Sequence, residues 1–313
     1  MPSNQTKGIQ LAVLTAFISG VAIFVNKFAV EAIKPPLVFT AVKNISVGLL
    51  ILGIILATRK RQQIKKITQK ELIYLVLIGV IGGALPFYLF FTGLYQVSAI
   101  NAALIHKTLV FWVAVMAILF LKERISIIQI LAVLVLFVGN LIPGGFTHFD
   151  FSRSELFILM ATIFWALETI LAKRVLKTVH PDIVGAARMG FGSLVLLVVA
   201  VYFYPKALAN VVHLTLTQWM WLAVTALTLF AYVSSWYRAL KLAPATAVAA
   251  VLVLSTLVTN ILSAAFITHT WNPSLMIQAL LMFIGAGLFW MLTKEVPFLS
   301  KKKDFFLHEE SKV

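Results

Sequence analysis

The sequence predicts an all-α polytopic membrane protein with ten transmembrane helices, arranged as two inverted repeats of five helices each. Of its 313 residues, 61% are hydrophobic and only 12% are charged, whereas about 25% of the residues of a soluble domain are charged. Long apolar stretches recur along the chain, and many have the ~20 residues that a helix needs to cross a bilayer. Segments of the first half also resemble segments of the second half at a nearly constant spacing, which indicates an internal duplication.

Apolar length and the polar or Pro- and Gly-containing breaks locate the individual helices. The predicted helices span residues 8–33, 36–57, 71–93, 98–121, 125–142, 155–173, 181–203, 216–240, 244–268 and 273–293. The predicted organisation is a first five-helix repeat at 1–142, an external joint at 143–154, a second five-helix repeat at 155–293 and a cytoplasmic basic tail at 294–313.

The distribution of basic residues predicts the orientation in the membrane. The N-terminus, the even-numbered connections and the C-terminal tail together contain 19 Lys and Arg residues, whereas the connections on the other side contain three. Cytoplasmic loops carry such an excess, so we expect a multi-pass protein of the cytoplasmic (inner) membrane with both termini in the cytoplasm. The net charge of +15 is attributed to orientation and lipid headgroups and not to nucleic-acid binding.

Three pairs of segments carry the internal similarity. "TAFISGVAIFVNK" (15–27) resembles "ATIFWALETILAK" (161–173), "PLVFTAVKN" (36–44) resembles "PDIVGAARM" (181–189), and "FTGLYQVSA" (91–99) resembles "YRALKLAPA" (237–245). The spacing is 145 or 146 residues in each case. A repeat with an odd number of spans enters the membrane in the opposite orientation the second time. Inverted repeats of this kind are typical of secondary transporters, with the substrate site near the midplane where the repeats meet.

The same regions carry a family resemblance. Its pieces are the spacing from Trp165-Ala166 to Lys173, Pro36 and Pro181 at the starts of helices 2 and 7, Tyr237-Arg238-Ala239-Leu240, and Leu121-Lys122-Glu123-Arg124 after helix 4. On these pieces the chain resembles the drug/metabolite transporter superfamily, in its EamA-like branch of ten-helix proteins. The resemblance implies that helices 1–4 and 6–9 surround a central cavity and that helices 5 and 10 are peripheral. The chain departs from the family pattern at Ser19 and at His269-Thr270-Trp271, where a tryptophan and a closing glutamate are usual.

His106 and Lys107 interrupt an apolar stretch of helix 4, with Lys107 about 13 Å below the external boundary at 1.5 Å per residue. An intramembrane ammonium group costs several kcal/mol unless it is paired or hydrated, so Lys107 is a candidate substrate-binding or coupling residue. Glu168 is the acidic residue deepest in a predicted span. We expect it to hold Lys107, or to receive a substrate ammonium group or a proton. A permanent structural pair of Lys107 with Glu168 is the alternative, and for His106 it is a bond to a backbone carbonyl.

Lys43 and Arg188 occupy matching positions in the two repeats and are expected near opposite mouths of the cavity. There they would serve gating or attract anionic groups, unless they only reach lipid headgroups. The other candidate binding residues are polar or aromatic: Trp165 on the face of Glu168, Asn260 in a polar stripe of helix 9, and an aromatic wall of Trp236, Tyr237 and Tyr88. The alternatives for these residues are helix–helix hydrogen bonds and an interfacial aromatic belt.

The sequence contains no nucleophile elbow, no phosphate-binding P-loop and no metal-spaced histidine set among its six His. We therefore expect neither an enzyme nor a metal or cofactor. Without an ATPase component, the substrate would move by gradient-driven or facilitated transport. The predicted function is secondary transport of a small polar metabolite, such as an amino acid, with export implied by the resemblance. A phosphorylated-metabolite or nucleotide-sugar exchanger remains open if Lys107, Lys43 and Arg188 converge, as does a lipid flippase or an accessory membrane subunit. The expected partners are the substrate, membrane lipids and a second copy of the chain in a homodimer.

Overall fold

The computed structural model describes residues 4–58, 60–142 and 151–295. These residues form ten apolar helices: α1 (Asn4–Ala32), α2 (Pro36–Ala57), α3 (Gln69–Gln96), α4 (Asn101–Leu121), α5 (Ile127–Leu141), α6 (Arg153–Val175), α7 (Pro181–Phe203), α8 (Leu216–Leu242), α9 (Ala245–Thr268) and α10 (Ser274–Glu295). Eight of them are long and apolar enough to cross a membrane, and the apolar stretches of α5 and α10 are shorter. The all-α polytopic fold is thereby confirmed.

Local sequence signals account for most helix starts. The Ser152 hydroxyl accepts from the backbone N–H of Glu155 while the Glu155 carboxylate accepts from the backbone N–H of Ser152, which is a capping box. Pro181 stands in the first turn of α7, where its missing N–H is not needed. Two short helices in the connections, Arg61–Ile64 and Pro205–Ala209, were not predicted because four or five residues show no helical period.

Three of the helices are interrupted, and none of these interruptions was predicted in place. A π-helical stretch, Gly79–Ala84, lies in the middle of α3. The first segment of α4 ends at Lys107 and the next begins at Leu109, and α9 is broken between Leu252 and Ser255. The two breaks fall at equivalent positions of the two halves, and the two helices pack along each other. Because no proline is present at either break, the sequence carries no conspicuous signal for them.

The packing of the helices follows the duplication. α2 packs against α7, α4 against α9 and α5 against α10, while α1 packs against α8 and α3 against α6. These pairs are symmetric: when every helix is replaced by its counterpart in the other half, the same set of pairs is obtained. The described residues therefore form two similar five-helix halves, and every helix of one half packs against a helix of the other. Residues 143–150 of the predicted joint and 296–313 of the predicted tail lie outside the described residues.

Candidate functional site: a central cavity with two cations and one carboxylate

A cavity lies inside the bundle where the two halves meet. The empty space between its lining side chains, including space open to solvent, is about 720 Å³. Seven helices line it, through Ser19, Ala22, Ile23 and Asn26 of α1, Lys43 of α2, Phe87, Phe90 and Phe91 of α3, His106 and Leu109 of α4, Trp165, Glu168 and Thr169 of α6, Arg188 of α7, and Leu229, Tyr232 and Trp236 of α8. The lining is mostly aromatic and aliphatic, with a few polar groups.

The π-helical stretch of α3 supplies an acceptor for two side chains of the cavity wall. The carbonyl oxygen of Gly82 accepts hydrogen bonds from Trp165 Nε1 at 3.0 Å and from Arg188 Nε at 3.2 Å. Gly82 also allows α6 to approach, because a Cβ atom there would lie 2.2 Å from Cγ of Glu168. At Gly83 a Cβ atom would lie 2.0 Å from the backbone oxygen of Arg188. The glycines therefore bring α3, α6 and α7 close enough to hold these three side chains together.

Glu168 is buried, and its carboxylate accepts a hydrogen bond from the Tyr237 hydroxyl at 2.6 Å. Arg188 is close enough to interact electrostatically with Glu168, and its guanidinium carbon lies 5.5 Å from the ring centre of Phe87 and 6.0 Å from that of Tyr237. This end of the cavity thus holds one cation and one carboxylate, which partly compensate each other.

Lys43 is buried in a different environment. Its ammonium nitrogen donates to Oδ1 of Asn26 at 2.8 Å. Aromatic rings surround it, with ring centres at 3.9 Å for Phe91, 4.6 Å for Phe39 and 6.0 Å for Phe87. Within the part of the chain that the structure describes, no carboxylate lies within ion-pair distance of this nitrogen. Lys43 is therefore stabilised by a neutral amide and by ring faces, and its charge is not neutralised.

The model of the EamA-like transporter family matches the chain twice, over residues 6–142 and 152–291. The chain belongs to the EamA-like transporter family. It is a multi-pass membrane protein of a transporter family, and each match covers one five-helix half.

Curated relatives of this EamA-like chain are similar over part of their length. Uncharacterized transporter sll1164 of Synechocystis sp. is 26% identical over 151 residues, which cover 45% of this chain and 43% of that protein. Uncharacterized transporter YyaM of Bacillus subtilis is 28% identical over 150 residues, which cover 46% of this chain and 49% of that protein. The matched region thus spans less than half the length of each relative. A protein of known crystal structure has a TM-score of 0.71 over 92% of this chain and 98% of its own, at 16% identity, which supports the fold.

The sequence predicts Lys43 and Arg188 of this EamA-like transporter near opposite mouths of the cavity, and the structure does not place them there. Both line the same cavity, and both face the ring of Phe87. The physical reason is that α2 and α7 pack directly against each other, so equivalent positions on these two helices approach one another at the interface of the halves. The depth of a residue along its own helix carries no information about the packing of α2 on α7.

The expected pair of Lys107 with Glu168 is also absent from the structure. Lys107 is 1% exposed, does not line the cavity, and its ammonium nitrogen has no hydrogen-bond partner among the described residues. His106 occupies the cavity-facing position of α4, and the next residue of a helix points about 100° away. Glu168 finds its partner in Tyr237 instead.

The remaining candidates divide between the cavity and other places. His106 stacks on Trp165 with ring centres 5.0 Å apart, and both line the cavity together with Trp236. Asn260 donates to Oε1 of Gln278 at 3.1 Å, so it links α9 to α10 and does not line the cavity. Tyr88 is 38% exposed on the outer surface of α3. Its neighbours on the helix, and not Tyr88, form the aromatic wall.

Several cavity residues were missed by the sequence analysis. Asn26 precedes Lys27 in a matched repeat segment, but its contact with Lys43 depends on how α1 and α2 pack. Phe87, Phe90 and Phe91 recur at helical spacing, which was a usable signal for one helix face. Tyr232 lies four residues before Trp236 and stacks on it with ring centres 5.9 Å apart. In the described ranges no group of His, Asp and Glu is arranged to hold a metal ion.

Proposed function

We propose that this EamA-like transporter is a secondary transporter that moves a small polar metabolite with an anionic group, such as an amino acid, out of the cell. The observation that carries the proposal is Lys43, a buried cation on the cavity wall whose polar and charge contacts among the described residues are a neutral amide and aromatic rings. A buried charge without a counter-charge is unfavourable, and an anionic substrate would supply the missing charge. The position of the cavity at the meeting point of the two halves supports alternating access.

Glu168 suits the role of a coupling group. It is the carboxylate of the cavity wall, it is buried, and it shares its surroundings with Arg188 and Tyr237. A proton or a substrate ammonium group that reached Glu168 would release Arg188 from its compensating charge. Arg188 would then be free to bind an anion, which links proton or ammonium binding at Glu168 to anion affinity at the neighbouring Arg188.

The cytoplasmic membrane, with both termini in the cytoplasm, is the proposed location, and the excess of basic residues on one side supports it. The alternative of a phosphorylated-metabolite exchanger required Lys107 to join Lys43 and Arg188. Because Lys107 is outside the cavity lining, that alternative loses its third cation and is not favoured.

The test is substrate binding and exchange with the purified full-length protein in proteoliposomes. A thermal-shift survey of single amino acids and short organic acids identifies a ligand, and counterflow then measures its movement. Lys43→Met should abolish both the thermal shift and counterflow, while Lys206→Met, at an exposed position in a connection, should leave both unchanged. Binding that survives in Lys43→Met would contradict the proposal, provided that both proteins unfold at similar temperatures.

A further inference from the structure

Aromatic rings form much of the cavity wall, and they are arranged in pairs. His106 and Trp165 stack with an interplanar angle of 26°, and Tyr232 and Trp236 stack with an angle of 11°. Both pairs belong to residues that line the cavity. Ring pairs of this kind present flat, polarisable faces, which favour offset-stacked and edge-to-face contacts with a further ring.

The first of these pairs continues into a larger cluster. Phe90 meets His106 edge-on with ring centres 5.6 Å apart, and Phe87 meets Trp165 edge-on at 5.4 Å. Trp165 is also held in place by its hydrogen bond to the Gly82 carbonyl oxygen. The orientation of the wall is therefore set by contacts between its own members before any ligand enters, which reduces the entropy lost on binding.

The aromatic wall adjoins the uncompensated cation. The Lys43 nitrogen lies 6.0 Å from the ring centre of Phe87, and Phe87 in turn contacts Trp165. Phe87 therefore contacts both the Lys43 ammonium group and the Trp165 and His106 pair. The charged and aromatic parts of the wall are thus continuous, and one small molecule with a charged group and a ring can contact both.

Aromatic walls by themselves also suit ligand cations, which bind to ring faces. The fixed charges of this cavity decide against that class. Lys43 and Arg188 contribute two positive charges to the wall against one carboxylate, and that carboxylate is already bonded to Tyr237. A ligand with a net positive charge would be repelled, and a ligand with a carboxylate would be attracted.

We propose that the substrate is a small carboxylate that carries a planar aromatic or heteroaromatic ring. Its carboxylate binds Lys43 and Asn26, and its ring packs between the Trp165–His106 and Trp236–Tyr232 pairs. The inference rests on the proposed function and narrows it, because the charge of Lys43 specifies the anionic group and the ring pairs specify the rest of the molecule.

The experiment measures binding of four related probes to the full-length protein in nanodiscs by calorimetry. The probes are phenylpropionate, cyclohexylpropionate, phenylpropionamide and phenylpropylamine. We expect phenylpropionate to bind about 2- to 10-fold more tightly than cyclohexylpropionate, as an aromatic pair contributes about 0.5–1.5 kcal/mol beyond its area. The amide and the amine should bind at least about tenfold more weakly than the carboxylate, because they lack the charge that Lys43 requires.

Two variants separate ring recognition from charge recognition. Trp236→Leu should remove most of the preference for the aromatic over the saturated ring while the preference for carboxylate over amide persists. Trp219→Leu is the matched control, since Trp219 lies on the same helix at an exposed position, and it should leave both preferences intact.

The outcomes distinguish this inference from the function on which it rests. Equal affinity for the phenyl and cyclohexyl carboxylates would overturn the aromatic class and leave an anionic substrate standing. Absence of binding by every carboxylate, in protein that still shows cooperative unfolding, would contradict both. Tighter binding of phenylpropylamine than of phenylpropionate would overturn the charge argument.

Discussion

Lys27 and Lys173 make the same contact in the two halves of the molecule. The ammonium nitrogen of Lys27 donates to the backbone oxygens of Leu94 at 3.2 Å and Val97 at 3.4 Å. That of Lys173 donates to Leu240 at 2.5 Å and Ala243 at 2.6 Å, each 146 positions later in the chain. Each lysine thus satisfies carbonyls at the C-terminal end of a helix, where unpaired carbonyl groups and the helix dipole favour a cation.

Replacement of Lys173 by Met should lower the free energy of unfolding by about 1.5 to 3 kcal/mol, the range for hydrogen bonds to a charged group. Lys27→Met should cost less, because the hydrogen bonds of Lys27 are longer and its ion pair with the exposed Glu31 adds little stability. Thermal unfolding in detergent measures both, with Lys206→Met as the surface control. A larger loss of unfolding free energy in Lys27→Met than in Lys173→Met would contradict this ranking.

Glu123 ties α4 to the start of α9. One oxygen of its carboxylate accepts from the backbone N–H of Ala245 at 2.9 Å, and the other accepts from the Thr246 backbone N–H at 3.2 Å and hydroxyl at 2.9 Å. The second half has His269-Thr270 at the equivalent place, so it has no carboxylate there to make the same contact. We expect Glu123→Ala to loosen the start of α9 and to increase access to the cavity from that side.

Labelling of a single cysteine tests this expectation, because the chain contains no cysteine of its own. Thr169→Cys places the reporter on the cavity wall, and a membrane-impermeant thiol reagent is applied from each side in turn. The added Glu123→Ala substitution should raise the labelling rate from one side only, and Glu31→Ala should not. Equal rates with and without Glu123 would show that the carboxylate does not control access.

Lys107 differs from Lys43 in its surroundings, and the two should respond differently to substitution. Lys107→Met should leave ligand affinity within a few-fold, because Lys107 does not line the cavity. It should also stabilise the protein by about 1–3 kcal/mol, since it removes a buried polar group that has no partner among the described residues. Unfolding and binding measurements on the same preparation check both statements. Complete loss of transport with unchanged affinity would restore a coupling role for Lys107.

Gly83 is a close-packing position between α3 and α7. A Cβ atom there would meet the Arg188 backbone, which cannot rotate away, so Gly83→Ala should destabilise the protein by about 1–3 kcal/mol and displace Arg188. Gly53→Ala is the matched control, because nothing lies within 4 Å of its Cβ position and alanine is the better helix former. A neutral Gly83→Ala in unfolding experiments would refute the close contact of α3 with α7.

The predicted orientation remains open to a direct test. Single cysteines introduced between residues 60 and 68 should react with an impermeant reagent only after permeabilisation of the cell, and cysteines at 146–150 should react without it. The reason is that residues 60–68 and the other connections on the same side of the membrane carry the excess of basic residues, and such an excess marks the cytoplasmic side. The reverse pattern of labelling would invert the topology and, with it, the side that Glu123 closes.

The sequence by itself determined the membrane class, the helix count and most helix boundaries, because twenty-residue apolar stretches and their polar breaks are local signals. It also identified Glu168, Arg188 and Lys43 as unusual, since a charge inside an apolar span stands out without a structure. Pairing of the charged groups was decided only by tertiary structure. Packing of α2 on α7 brought Lys43 and Arg188 to one cavity.

The sequence also did not determine the rotation of each helix about its own axis. In the structure His106, and not Lys107, faces the cavity from α4. Asn260 faces α10, and Tyr88 lies on the surface. In α3 that rotation depends on glycines in contact with α6 and α7 and on a π-helical stretch. Such contacts join residues far apart in the chain, and in a helix that is apolar on every side no periodic pattern shows which face they will select.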